Sequence, residues 1–468
     1  MLRAVLKGTA LSVALLAASV VPRSAVADNL ADALVGAYNT SGLLEQNRAL
    51  LRAADEDVAI AVAQLRPIIS WTMQIQRQLV DQQNNNFSSN NGETSGFVGL
   101  SFQQLLFDGG ATRLAKQAAQ ESVLSARQTL IDVEQSILFR AVSAYMNLIL
   151  QEDNVALRRN NVRVLGEELR ASQDRFEVGE VTRTDVALSE ASVAAARANL
   201  ADALGTLTTA KAEYVNAVGN EPGKTAGQPS LPRLPASIDA AIAVAVRTHP
   251  DILAAQHQVR AAELIVQQQR KELGPNLTLD ADLGYTEDFS SSDFRNDSSA
   301  GVTFRQPVYA GGALAAQIRR AIATRDSTRF ALLTSQKDVI QGVKDAYVRF
   351  QTAEASLTAS NERVRAAQIA FDGIREEATL GARTTLDVLT AEQDLLDAQT
   401  QQIFARSERS LAAYQVLLSQ GLLTAERLGL AVQIYDPTLY YNLVKNAPAK
   451  VSKQSKDLDR VLKALGKQ

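Results

Sequence analysis

The chain has 468 residues, a net charge of −3, no cysteine, and two histidines, His249 and His257. The lack of cysteine excludes disulfides, thiolate metal sites and N-terminal lipid attachment through cysteine. The histidines belong to no cluster with metal-ligand spacing, and the slightly acidic balance makes no electrostatic case for nucleic acid.

Residues 1–27 read as an export signal. Arg3 and Lys7 precede the apolar run Ala10 to Val21, and Ala25-Val-Ala27 fits a small-x-small cleavage site. The run is shorter than the roughly 20 residues of a membrane-spanning helix. Cleavage would remove Arg3, Lys7 and Arg23 and no acid. No other long apolar run follows, so the mature chain is expected to have no transmembrane helix.

Residues 30–65 carry helical periodicity up to Pro67. Ile69, Trp71, Met73 and Ile75 then alternate with Ser70, Thr72, Gln74 and Gln76. After the polar run Asn84 to Thr94, Val98, Leu100 and Phe102 alternate with Gly99, Ser101 and Gln103. Period two predicts strands over about 68–80 and 96–107, joined by a polar loop. Beyond Gly109-Gly110, the stretch Ala111 to Glu177 has no proline and one glycine, Gly166, which predicts a helix of roughly 100 Å. Leu124, Ile131, Leu138 and Tyr145 recur every seventh residue, as do Leu148, Val155, Val162, Leu169 and Phe176. A strict heptad predicts left-handed coiled-coil packing. Val178-Gly179 should end this helix. Thr182 with Asp185 should cap a return helix over about 182–218. A Pro/Gly-rich linker runs from Glu221 to Pro235.

The unit then repeats. Gly110, Tyr145, Gly179, Asp185, Glu190 and Gly219 recur as Gly312, Tyr347, Gly381, Asp387, Glu392 and Gly421, a constant offset of 202. Strands are predicted over about 276–287 and 299–309, a long helix over 313–379 and a return helix over 384–419. Pro67 against Pro275 gives an offset of 208, so the first copy holds six extra residues before Phe102, read as a length-tolerant loop. The expected organisation is signal 1–27, first repeat 28–230, second repeat 231–436 and a C-terminal periplasmic tail 437–468. Its Lys-rich part, Ala447 to Gln468, reads either as mobile or as a small helix, Leu458 to Leu465. Two hairpins do not make a stable sheet alone. The alternation fits a small soluble sheet, or strands that cross a bilayer in a closed barrel pooled from several protomers. Export without a membrane helix favours the barrel. Trp71, Tyr285 and Phe289 suit a membrane interface or, for Trp71, a strand core. No clustered catalytic constellation is present, so no enzyme is expected.

The strand exits, Phe102 to Gly110 and Phe304 to Gly312, follow Phe-x-Gln-x-Leu/Val-Phe/Tyr-x-Gly-Gly. The turns, Val178 to Val186 and Leu380 to Val388, follow Val/Leu-Gly-x-x-Thr-x-x-Asp-Val. With the duplication, these motifs resemble the TolC family of outer-membrane efflux proteins, over about Asn29 to Asp436. The resemblance implies a mixed α and β homotrimer. Four strands per protomer would close a 12-stranded transmembrane β-barrel in outer-membrane lipid, continued by a long periplasmic α-helical coiled-coil barrel. It also implies an exit duct for drugs, small molecules or proteins, with no cofactor. The duct would dock to a periplasmic adaptor (membrane fusion protein) and an inner-membrane transporter of RND or ABC type.

By resemblance, Asp387 would project into the periplasmic entrance. Arg383, Thr384 and Asp185 match the family's gating residues. Val178, Gly179, Leu380 and Gly381 would be the adaptor-contact tips. The alternative reading of these residues is as helix caps, solvated charges and conformational glycines. The family's tyrosine three residues before the second turn glycine is Ala378 here, and a second aspartate is replaced by Thr390. These departures imply a single acidic ring and a weaker closed state. A periplasmic coiled-coil scaffold or adaptor without a channel is the alternative; it accounts for the helices and the signal but not the hairpins.

Overall fold

A computed structural model describes residues 29–84, 87–289, 291–450 and 452–464; the signal segment and Leu465 lie outside them. The first copy comprises α1 (Leu30–Thr40), α2 (Gly42–Ala63), β1 (Ile68–Asn84), β2 (Phe87–Phe107), α3 (Ala111–Glu177) and α4 (Arg183–Val218). The second comprises α5 (Ile238–Thr248), α6 (Pro250–Lys271), β3 (Asn276–Asp288), β4 (Phe294–Arg305), α7 (Ala313–Thr379) and α8 (Thr385–Ser419). Two short helices follow, α9 (Pro437–Val444) and α10 (Lys453–Ala464).

Each leading helical stretch is broken in two. Ser41 is extended and its hydroxyl accepts from Leu44 N, which starts α2. At the matching place His249 is extended, its Nδ1 accepts from Asp251 N, and Pro250 occupies the first helical turn. Such caps compete with the continuing helix. The residue before each break grips the end of a return helix. Thr40 Oγ1 donates to Val218 O at 2.9 Å, and Thr248 Oγ1 donates to Gln420 O at 2.7 Å.

The strands form one antiparallel sheet in the order β1-β2-β3-β4. The first hairpin is longer than side-chain alternation predicts. β1 and β2 stay paired up to Asn84 and Phe87, so most of the polar run is strand, and the six extra residues lengthen the hairpin rather than a loop. Backbone pairing needs no apolar face, so a polar extension leaves no period-two signal. β4 stops at Arg305, short of the expected 309; Pro307 follows and has no N–H to pair. Across the sheet Trp71 pairs Leu100 and Leu100 pairs Leu283, while on the opposite face Ser70 pairs Ser101 and Ser101 pairs Asp282. Ile69, Trp71, Met73, Leu100 and Leu283 are all exposed, so one face is a bare apolar band. Among the described residues no helix is long and apolar enough to cross a membrane.

The long helices carry the packing. Leu138, Tyr145, Leu148 and Val155 are buried along α3, and Leu357, Phe371 and Ala378 along α7. The return helices contribute a feature the large-residue stripes did not reveal. Ser189, Ala196, Ala203 and Ala210 on α4 are buried at strict seven-residue spacing, and so are their partners Ala391, Ala398, Ala405 and Ala412 on α8. Small side chains at the seam let paired helices approach closely while keeping the 3.5-residue register. Tyr145 and Tyr347 hold the linker, their hydroxyls donating to Gly227 O at 3.2 Å and Pro235 O at 3.1 Å.

Candidate functional site at the paired helix turns

Both turns follow one local recipe. Val178 caps the end of α3 and Leu380 the end of α7, each followed by a glycine with positive φ, +81° at Gly179 and +76° at Gly381. The next residues close the helix end by donating back, Glu180 N to Arg175 O and Ala382 N to Glu377 O, both at 2.9 Å. The following helix is then capped. Thr182 accepts from Asp185 N while Asp185 Oδ2 accepts from Thr182 N at 2.9 Å and from Thr182 Oγ1 at 2.7 Å. Thr384 and Asp387 repeat this, both Asp387 Oδ2 contacts being 2.9 Å. Both predicted capping boxes therefore form.

The electrostatics follow from the caps. The Thr182 hydroxyl, then its backbone N–H, hold the Asp185 carboxyl below its usual range. The Thr384 backbone N–H, then its hydroxyl, do the same for Asp387, and Arg383 adds to the effect. Each is thus a fixed negative charge at neutral pH. Arg383 lies against Glu377, Nε to Oε2 at 2.7 Å. The tip side chains Val178 and Leu380 are 71% and 79% exposed, presenting two apolar knobs beside these charges.

Asp185 and Arg383 are not joined to each other within the chain; each is held in its own turn. The link between turns is made by Arg175, which the sequence did not single out. Its Nη2 donates to Ala378 O at 2.8 Å, and its Nε faces Glu180 at 3.5 Å. Two further links lie above it. Arg375 on α7 pairs Glu168 on α3 at 2.9 Å. Asn161 on α3 donates to Glu392 on α8 at 3.0 Å, both side chains being buried. Burial pushes the Glu392 carboxyl up, against the Asn161 hydrogen bond. Between the turns lies a cavity of about 320 Å³ whose lining includes Arg175, Glu180, Arg375, Ala378, Thr385 and Leu389. The Ala378 side chain is buried, and its backbone carbonyl is the acceptor for Arg175. Among the described residues no group of three or more His, Asp or Glu is placed to hold a metal ion.

A family model described as "Outer membrane efflux protein" matches the chain twice, over residues 37–220 and 241–421. Outer membrane efflux protein BepC of Brucella suis biovar 1 is 36% identical over 426 residues, covering 91% of this chain and 92% of the relative. Alkaline protease secretion protein AprF of Pseudomonas aeruginosa is 27% identical over 312 residues, 64% of each chain. The outer membrane protein VceC of Vibrio cholerae superposes with a TM-score of 0.71 at 21% identity, over 84% of this chain and 96% of that one.

Proposed function

The chain belongs to the outer membrane efflux protein family, and from that premise we propose that it works as a homotrimeric exit duct, gated at the periplasmic helix turns. The protein resides in the outer membrane and is not an enzyme. The observation that carries the reading is the sheet. It has a bare apolar face and two open edges, β1 and β4. Open edges are not tolerated in lipid, where every backbone group must be paired. Three copies joined edge to edge make a closed twelve-stranded barrel, and the helix pairs continue it into the periplasm. The outward apolar residues Leu204 and Val215 on α4 and Phe330 and Leu333 on α7 are then the seams between protomers.

In this reading Val178, Gly179, Leu380 and Gly381 contact a periplasmic adaptor, and an inner-membrane transporter of RND or ABC type lies beyond it. BepC is named for efflux and AprF for alkaline protease secretion; both cargo classes suit a duct whose choice of cargo lies with the transporter. The test is in-cell crosslinking from Val178 and Leu380. Capture of an adaptor is expected. Recovery of the protein as a soluble periplasmic monomer would overturn the duct.

Three Asp387 carboxylates around one axis attract cations and repel anions. Asp387→Asn is expected to lower cation selectivity in single-channel recordings, and unchanged selectivity would remove Asp387 from the entrance. Thr384 keeps its capping role because asparagine at the third helical position still accepts. Arg175→Ala should loosen the link to Ala378 by about 1 kcal/mol, roughly a fivefold shift toward open channels. It should raise the open fraction without changing ion selectivity.

A further inference from the structure

We propose that the C-terminal helix α10 is a cationic surface anchor that lies on anionic phospholipid at the periplasmic rim of the sheet. The proposal rests on the reading of the sheet as the membrane-spanning part. The family match ends at residue 421, and the segment beyond has its own chemistry. Residues 445–468 carry seven Lys and Arg against two Asp, in a chain of net charge −3. Such asymmetry points to an anionic surface.

The arrangement within α10 sharpens this. Lys453, Lys456, Arg460 and Lys463 recur at spacings of three and four and share one helix face, and all four are exposed. Leu458 and Val461 lie on the opposite face, where Val461 is also exposed. A helix with one basic face, an apolar opposite face and low overall hydrophobicity lies in an interface rather than spanning it. The lysine stems reach past the apolar face while their ammonium groups stay at headgroup level.

The fold brings this helix to the right height. Arg66, two residues before β1, donates from its guanidinium to the carbonyls of Asn446 and Ala447. Earlier on α9, Tyr440 donates to Glu56 on α2 at 2.6 Å, and Tyr441 accepts from Gln120 on α3 at 2.9 Å. These contacts carry α9 along the helices and fix its end beside the base of β1. The exposed apolar residues Ile69 and Trp71 begin there, and α10 starts six residues after Ala447. The bilayer surface and the basic helix therefore meet at the same level. Each Lys or Arg near an anionic leaflet adds to the attraction.

The protein has one tryptophan, Trp71, and no cysteine, so two independent probes are available. Full-length Val461→Cys protein, labelled with a polarity-sensitive fluorophore, is reconstituted into vesicles of acyl-brominated phosphatidylethanolamine, with or without brominated phosphatidylglycerol. Trp71 quenching reports the sheet, and label quenching reports α10. The label should be quenched in the phosphatidylglycerol vesicles. It should lose most of that quenching in phosphatidylethanolamine alone, and again when Lys453, Lys456 and Lys463 are replaced by glutamine, while Trp71 stays quenched throughout. Quenched Trp71 with an unquenched label overturns the anchor and leaves the duct standing. Label quenching indifferent to phosphatidylglycerol and to the glutamine substitutions also overturns it. Unquenched Trp71 overturns the membrane reading and the anchor together.

Discussion

Gly421→Ala is expected to destabilise the protein by about 3 kcal/mol, where Gly381→Ala should cost only about 1 kcal/mol. Both glycines have positive φ, +72° and +76°, so both substitutions carry the left-handed penalty of a side chain. They differ in what the new Cβ meets. At Gly381 nothing lies within 4 Å. At Gly421 a Cβ would stand 2.8 Å from His249 Cα and 2.8 Å from Thr248 O. Both are backbone atoms, and they are fixed by the Thr248 hydrogen bond to Gln420 O and by the start of α6 at Pro250. The contact cannot relax by a rotamer change, so α8 and the α5–α6 corner must separate. The midpoints of heat-induced unfolding of the two purified variants decide the matter. Equal losses would mean that the corner is softer than its contacts indicate.

That contact also shows why some of the fold was legible and some was not. The glycines at positions 179, 219, 381 and 421 could be read because a helix end needs positive φ whatever surrounds it. What Gly219 and Gly421 touch could not be read. The partners are Thr40 and Thr248, and apolar periodicity ran across both breaks without interruption. Ser41 and the His249-Pro250 pair were the available signals, since each is a helix start. The polar ends of β1 and β2 were hidden for a different reason. Backbone hydrogen bonds hold them, and these leave no mark on side-chain pattern. The alanine seam of α4 and α8 was open to view, but its small residues were overshadowed by the larger heptad stripes of α3 and α7.

The turns divide along the same line. The Thr182–Asp185 and Thr384–Asp387 boxes are local, three residues wide, and follow from residue type and spacing. The Arg175 link is not local. Its acceptor is a backbone carbonyl, which every residue has, at a sequence separation of 203. No residue type identifies such an acceptor. Glu392 is similar. It repeats Glu190 in sequence, yet Glu392 is buried against Asn161 while Glu190 is exposed. The duplication predicted two equal positions, and the packing of α8 against α3 made them unequal.

The same inequality of environment makes Asp55 the site of the second large effect. Asp55→Asn should stabilise the protein by about 3 kcal/mol near pH 8 and by almost nothing near pH 4. Asp55 on α2 is fully buried, and neither carboxylate oxygen has a hydrogen-bond partner. Burial pushes its carboxyl up from 3.8 to about 6; Arg127 on α3 opposes the shift and Glu56 reinforces it. Tyr435 and Tyr440, beyond α8, face the same group, and their own hydroxyls are pushed up chiefly by burial. The sign follows from the two states. Unfolded, the group ionises near its ordinary value; folded, it keeps its proton until about pH 6. Between these values the folded state binds more protons, so stability falls as the pH rises through the window. Above it the full cost of a buried charge is present. Asparagine has the same shape and no charge, so it removes that cost only where the carboxylate would have been ionised. Unfolding midpoints of wild type and variant across this range should diverge between about pH 4 and pH 6 and run parallel above. A constant difference at every pH would mean that the Asp55 carboxyl is not the titrating group, and that Arg127 neutralises it more fully than their unbonded geometry implies.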